Sequence, residues 1–197
     1  MNVGNGKRAI CAPQAHGSGI ALPALDTPRL LIRGRTLDDL EACLAMDRDP
    51  EVTRFVKGPW SDPVEHRRFL EFRITRPYPP GLGYWSIRER AAPEVFLGWV
   101  MLIPDHGVGP EIEIGWRLVR TAWGRGIASE AAQALATHAL DTVKLPRVIA
   151  DIDPENKASR AVAEKIGMRL AALVGERDGE TVARYRLERG ERCRRTV

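Results

Sequence analysis

A chain of 197 residues with 44% hydrophobic and 28% charged residues suits one globular domain and excludes a disordered chain. The net charge of +4 is concentrated: from Arg186 onward five arginines face Glu188 and Glu191, leaving about +1 on everything before them. The longest apolar run, Phe96 to Ile103, falls well short of the roughly 20 residues a spanning helix needs, so no membrane partner is expected.

Residues 1–24 are rich in Gly, Ala, Pro and polar residues without periodicity and are expected to be a loose lead-in with no signal-peptide core. Leu30-Leu31-Ile32-Arg33 predicts a strand. Thr36-Leu37-Asp38-Asp39 resembles a capping box and opens a helix with Leu37, Leu40, Leu44 and Met46 inward, which Asp49-Pro50 should stop. Asp62-Pro63 starts a second helix, with Val64, Phe69, Leu70 and Ile74 inward and Pro77 at its end.

Three strands follow, at 84–88, 95–103 and 111–118, joined by short turns that imply an antiparallel meander. The period then changes. Ile127, Ala131, Ala134, Leu135 and His138 share one helical face, predicting an amphipathic helix from Gly126 to about Thr142. A strand at 147–152 lies far enough beyond the previous one for a parallel crossover. A helix from Asn156 to Ile166, closed by Gly167, precedes two final strands flanking Arg177-Asp178-Gly179. The expected fold class is one α/β (α+β) domain over 25–188, a mixed and mostly antiparallel sheet with helices on both faces. A basic tail occupies 189–197.

Cys11, Cys43 and Cys193 have no paired spacing, which argues for a reducing, cytoplasmic setting and against a disulfide framework or a metal site. No aromatic residue interleaves the C-terminal arginines, so the stacking platform of a single-strand binder is missing and nucleic acid is not the expected partner.

The stretch from Glu111 to Ala132 carries the chemistry. A strand leads into Gly124-Arg125-Gly126, which opens a helix. Glycines there let a ligand approach unpaired N–H groups at a helix N-terminus, and Arg125 adds a full charge, so a pyrophosphate is one occupant. A plain strand-to-helix turn is the other reading. No Gly-Lys-Ser/Thr follows, which excludes a P-loop, and Ser129 stands where the dinucleotide fingerprint needs its third glycine.

Trp-Gly-Arg-Gly-Ile-Ala-Ser-Glu-Ala lies between Glu-Ile-Gly-Trp on one side and Asp-Pro-Glu-Asn-Lys-Ala-Ser-Arg and Glu-Lys-Ile-Gly-Met on the other. Together these resemble the GNAT superfamily of acetyl-CoA-dependent N-acetyltransferases. The opening Thr-Pro-Arg-Leu-Leu-Ile-Arg and Asp-Pro-Glu-Val are similar to the RimJ/RimL ribosomal-protein branch, and the likeness runs from Leu25 to Glu188. The family's pyrophosphate loop often opens with Gln or Arg where Thr121 stands, so Arg120 or Arg125 would supply that charge.

The resemblance implies acetyl-CoA as co-substrate, held by Trp116, Leu118, Val119, Gly124, Arg125, Gly126, Ile127, Ala128, Ser129 and Asn156, with no metal. It implies an oxyanion contact from a backbone N–H near Leu118 and Val119, direct attack by an amine acceptor, and no acetyl-enzyme. Glu113 is the candidate base and Ser159 the candidate proton donor to the thiolate, since no tyrosine lies between Trp85 and Tyr185. Each residue also has a bland reading: Glu113 and Glu111 as a solvated pair, Asn156 as a helix cap. Trp60 and Trp85 are candidates for the acceptor pocket, His138 for a core side chain. His66 and His106 have no acidic partner legible in the sequence. A protein N-terminus and a small amine both remain open as acceptor, as does a homodimer. The other classes are a non-catalytic acyl-CoA-binding module and an RNA- or ribosome-associated protein using its Arg-rich tail.

Overall fold

The computed structural model describes residues 22–175 and 181–190. Residues 1–21 of the expected lead-in, the Arg177-Asp178-Gly179 turn, residues 191–197 of the tail, Cys11 and Cys193 lie outside the described residues. Among those described, the strands are β1 (Leu25–Asp26), β2 (Leu30–Gly34), β3 (Gly83–Glu89), β4 (Ala92–Pro104), β5 (Ile112–Leu118), β6 (Arg147–Ile152), β7 (Arg169–Gly175) and β8 (Thr181–Glu188). The helices are α1 (Leu40–Asp47), α2 (Pro50–Thr53), α3 (Pro63–Thr75), α4 (Ile127–Thr137) and α5 (Lys157–Lys165).

One eight-stranded sheet runs in the order β1-β2-β3-β4-β5-β6-β8-β7. Every neighbouring pair is antiparallel except β5 and β6, which are joined by the α4 crossover and run parallel. Side chains alternate across the sheet. Trp85, Val100, Leu102, Ile114 and Leu118 pack with Ile127, Ala131, Leu135 and Ala163 from α4 and α5. Tyr84, Trp99, Met101 and Ile103 face the other way, onto Leu40, Cys43, Leu44 and Leu70 from α1 and α3.

Local departures from the expected elements have physical causes. Asp49-Pro50 ends α1 and also starts α2: Asp49 accepts from the Glu51 N–H at 3.1 Å, and proline fits a first helical turn. Leu37 and Val64, expected inward, are 52% and 59% exposed, because both sit in the opening turns before their helices reach the sheet. The last turn of the predicted 126–142 helix is π-helical over His138–Thr142. Leu22 and Pro23 belong to the packed body: the Trp85 indole N–H donates to the Pro23 carbonyl at 2.8 Å.

Gly98 decides where β5 lies. Its φ is +142°, and a Cβ there would sit 2.1 Å from the Arg117 carbonyl oxygen. Only glycine lets β4 and β5 approach at that point.

Candidate functional site

The site begins where two parallel strands part. β5 and β6 share a single bridge, Glu113 opposite Ile149, and beyond it they diverge. On the other side of β5, the Val119 N–H donates to the Leu97 carbonyl at 3.0 Å, and the Asp105 N–H to the Glu111 carbonyl at 2.8 Å. Bonding direction alternates along an antiparallel strand, so odd-numbered residues of β5 serve β4. The even-numbered ones turn their polar groups toward the gap left by β6, Trp116 and Leu118 among them. The Trp123 indole already donates to the Leu118 carbonyl there, at 3.1 Å.

The gap opens into a cavity of about 590 Å³. The start of α4 forms one wall. Gly124 and Gly126 have φ of +71° and +76°, in the left-handed region that favours glycine. At Gly124 a Cβ would meet nothing within 4 Å, so the backbone there faces open space. The first intrahelical bond runs from the Glu130 N–H to the Gly126 carbonyl, which leaves the N–H groups of Ile127, Ala128 and Ser129 as helix-start donors lining the cavity. Donors converging at the positive end of an eleven-residue helix suit a phosphate. The residues present therefore fit a pyrophosphate-bearing ligand such as acetyl-CoA.

Asn156 and Ser159 line the facing wall. Asn156 caps α5, its carbonyl oxygen accepting from the Ser159 N–H at 3.0 Å; the cap role is therefore present, and the side-chain NH₂ is the part of the amide left for a ligand. The structure also adds residues that sequence reasoning missed. Val52, Arg54 and Phe55 from α2 and its exit, with Arg117, Trp123 and Lys165, line the same cavity. Arg54 and Lys165 bring positive charge from elements remote in sequence, and no local motif marks them. Arg117 could have been suspected from its place beside Trp116.

Several predicted residues sit elsewhere. Arg125 points away: its Nη2 is 2.6 Å from Glu89 Oε1, and its carbonyl accepts from Arg29. Arg120 is paired with Asp49. Neither lines the first cavity. Val119 is excluded as an N–H donor to ligand because that group is spent on Leu97. Trp85 is 0% exposed, edge-on to His138 in the core, so it lines no acceptor pocket. Trp60 does not line the cavity either: its N–H donates to the Val56 carbonyl, its ring packs edge-on against His66 and Phe69, and the Arg117 guanidinium lies 5.1 Å from it.

Glu113 is half-buried and lines a separate cavity of about 530 Å³ on the α1/α3 face of the sheet, with Arg73, Arg76, Tyr84 and His106. Glu111 is not part of it: Arg147 grips its carboxylate bidentately and holds its pKa below the ordinary range.

His66 does have an acidic partner, Asp47 Oδ2 at 3.4 Å, and Asp47 Oδ1 also accepts from Arg117 Nη1 at 2.8 Å. The pairing joins residues 19 positions apart, which no local spacing would reveal. His138 is buried and meets the Gly81 carbonyl at 2.9 Å, as expected of a core side chain. Cys43 is 0% exposed, and burial pushes its thiol up to about 11. Among the described residues, no helix is long and apolar enough to cross a membrane, and no group of three or more His, Cys, Asp or Glu is placed to hold a metal ion.

Comparison with known proteins agrees with this geometry. The family model described as "Acetyltransferase (GNAT) domain" matches residues 29–169. The N-acetyltransferase p20 of Bacillus licheniformis, itself uncharacterised, is 28% identical over 156 residues, covering 78% of this chain and 86% of p20. The crystal structure of an acetyltransferase from Agrobacterium tumefaciens superposes with a TM-score of 0.68 at 30% identity, over 93% of this chain and 99% of that one. RimJ of Mycobacterium smegmatis, solved with CoA-disulfide, shares the fold at 22% identity and a TM-score of 0.67, over 89% of this chain and 90% of that one. With parted strands, a glycine-opened helix start and a family match over most of its length, this chain belongs to the GNAT family of acetyl-CoA-dependent N-acetyltransferases.

Proposed function

We propose that the protein transfers the acetyl group of acetyl-CoA to a primary amine by direct attack within a ternary complex, in the manner of the RimJ/RimL branch or of its small-amine relatives. The observation that carries this is the continuity of the first cavity. It runs from the open N–H groups of α4 to the point where β5 and β6 part, so one ligand can hold its phosphates at the helix and its thioester at the strands. The N–H groups of Gly124 and of Ile127 to Ser129 would bind the pyrophosphate. Arg54 and Lys165 add charge, and Asn156 meets the pantetheine arm. Bound there, acetyl-CoA supplies an activated acetyl group as a thioester.

The N–H groups of Trp116 and Leu118 polarise the thioester carbonyl and stabilise its developing negative charge. An attacking amine must be neutral, whereas a lysine-type amine with pKa about 10.4 is almost wholly charged near pH 7. Glu113 accepts the proton. It lies three residues before Trp116, about 10 Å along the strand, so it acts through water. Ser159 donates to the departing sulfur. A cysteine-based covalent route is disfavoured, because Cys43, the cysteine among the described residues, is buried with a raised pKa.

Calorimetric titration with acetyl-CoA, followed by thiol release over a panel of peptides and small amines, tests this. Binding together with amine-dependent release is expected; tight binding with no release to any amine would favour a regulatory acyl-CoA module. Ser159→Ala is expected to lower kcat while leaving acetyl-CoA affinity within about twofold. Lost affinity with unchanged kcat would assign Ser159 to binding instead.

A further inference from the structure

The cavity that Glu113 lines has walls of opposite charge. Arg73 and Arg76, from the end of α3, form one side. Neither has a carboxylate partner among the described residues. Arg73 donates to the Tyr84 hydroxyl at 2.9 Å and lies 4.4 Å from the Phe69 ring; Arg76 donates to the Gly107 carbonyl at 3.4 Å and lies 5.1 Å from Tyr78. A third guanidinium supports this side. Arg35 is 7% exposed and sits 4.0 Å from the Tyr84 ring centre, and its Nε and Nη2 have no acceptor. Two lining cations, with a third buried behind the Tyr84 ring, make this wall attractive to an anion.

The other side is acidic: Glu113 on β5, Asp105 after β4 and Asp151 on β6. Arg184 bridges Asp105 and Asp151. Glu113 is the β5 carboxylate of this wall. Glu113, Gly115 and Arg117 follow one another on this face of β5, and Arg117 already lines the first cavity. Between them Gly115 offers no side chain, and the Met101 methyl lies over it, 2.7 Å from where a Cβ would stand. A flexible thioether therefore stands between Glu113 and Arg117 on this face.

We propose that this second cavity receives the acceptor, and that the acceptor is an amine bearing an anionic group, of the amino-acid or short-peptide type. Arg73 and Arg76 bind the anion while the amine lies over Glu113 and reaches the thioester past Met101. The acceptor assignment rests on the acetyl-transfer chemistry proposed above. A polycation would place a second positive charge against the arginine wall, so polyamines are disfavoured.

The test compares matched amines: glycylphenylalanine with its C-terminal amide, O-phosphoethanolamine as the phosphate-bearing probe, and spermidine as the polycation. Thiol release from acetyl-CoA gives kcat/KM, and calorimetry on the CoA-loaded protein gives affinity without turnover. An anionic probe should exceed the amide by about tenfold or more, the worth of one charged hydrogen-bonded pair, and the better of the two anions identifies carboxylate or phosphate. Arg76→Gln and Arg73→Gln should bring the acid-to-amide ratio toward one, whereas Arg68→Gln, on the exposed face of α3, should leave it intact. Equal use and equal binding of acid and amide, preference for spermidine, or a ratio that survives both arginine substitutions would overturn the proposal. Titration of the same protein with acetyl-CoA reports separately on the first cavity, so its failure would count against the acetyl-transfer reading alone.

Discussion

The molecule carries two cavities of similar size built by different means, one opening at the start of α4 and one lying on the α1/α3 face. At the start of α4 the groups turned to the first cavity are largely backbone: helix-start N–H groups, two left-handed glycines and the parted edge of β5. On the α1/α3 face they include charged side chains delivered by the end of α3, the turn after β4, β5 and β6. A backbone site presents the same groups whatever the neighbouring side chains are, which suits a feature shared by every acetyl-CoA molecule. A side-chain site changes with each substitution, which suits the partner that differs from enzyme to enzyme.

If that contrast holds, the largest effect on turnover should come from one side chain on the α1/α3 face. Glu113→Gln should reduce kcat/KM by about 10²–10³-fold, most at low pH where little amine is already neutral, with acetyl-CoA affinity preserved. A pH–rate profile matching that of the unaltered enzyme would remove Glu113 as the base.

At the first cavity the sensitive element is the turn. Gly126→Asp would force a Cβ to φ +76°, 3.5 Å from the Arg29 guanidinium, and add a negative charge at the start of α4, so acetyl-CoA affinity should fall about 100-fold. Calorimetry finding unchanged affinity would break the backbone half of the comparison.

The α1/α3 face also depends on charge for stability. Asp39 is 0% exposed and accepts from Arg33, Arg88 and the Thr36 N–H. Burial alone would raise its pKa, but those donors outweigh it and hold it at about 2. A depressed carboxylate pKa stabilises the fold fully above the unfolded value near 4, and that stabilisation is lost as pH falls through about 2. Asp39→Asn should therefore cost about 2 kcal/mol at pH 7, measured by urea unfolding, with the difference shrinking below about pH 4 and closing near pH 2. A pH-independent difference would mean that shape rather than charge is at work.

The smallest effect should come from Arg125. Its guanidinium is committed to Glu89 on the surface, so Arg125→Gln should change acetyl-CoA affinity by no more than about twofold. A tenfold loss would show that the side chain swings into the first cavity when ligand binds.

Much of the first cavity was legible in the sequence because its features are local. Gly124-Arg125-Gly126 before an amphipathic run locates a helix start, and Asp153-Pro154-Glu155-Asn156 locates the cap of α5 within four residues. Alternation of Ile112 and Ile114 with Glu111 and Glu113 predicts a strand with one polar face. Turn chemistry, caps and period are properties of neighbours in the chain, so sequence alone determined the order of the main elements, the mixed sheet and the position of the glycine turn that opens α4, though not the short β1 and α2. Tertiary structure decided what depends on distant pairings. Trp85 went to the core because β3 lies inside the sheet, and Arg125 turned outward because Glu89 waits at the end of that strand. Val119 lost its N–H to Leu97 through the register of β4 against β5, which Gly98 permits. The insertion of β8 between β6 and β7 and the meeting of Arg73, Arg76 and Glu113 across one cavity were likewise settled in three dimensions. Charge–charge and ladder contacts act between residues tens of positions apart, and no spacing in the chain encodes which of the possible partners the packed sheet brings within reach.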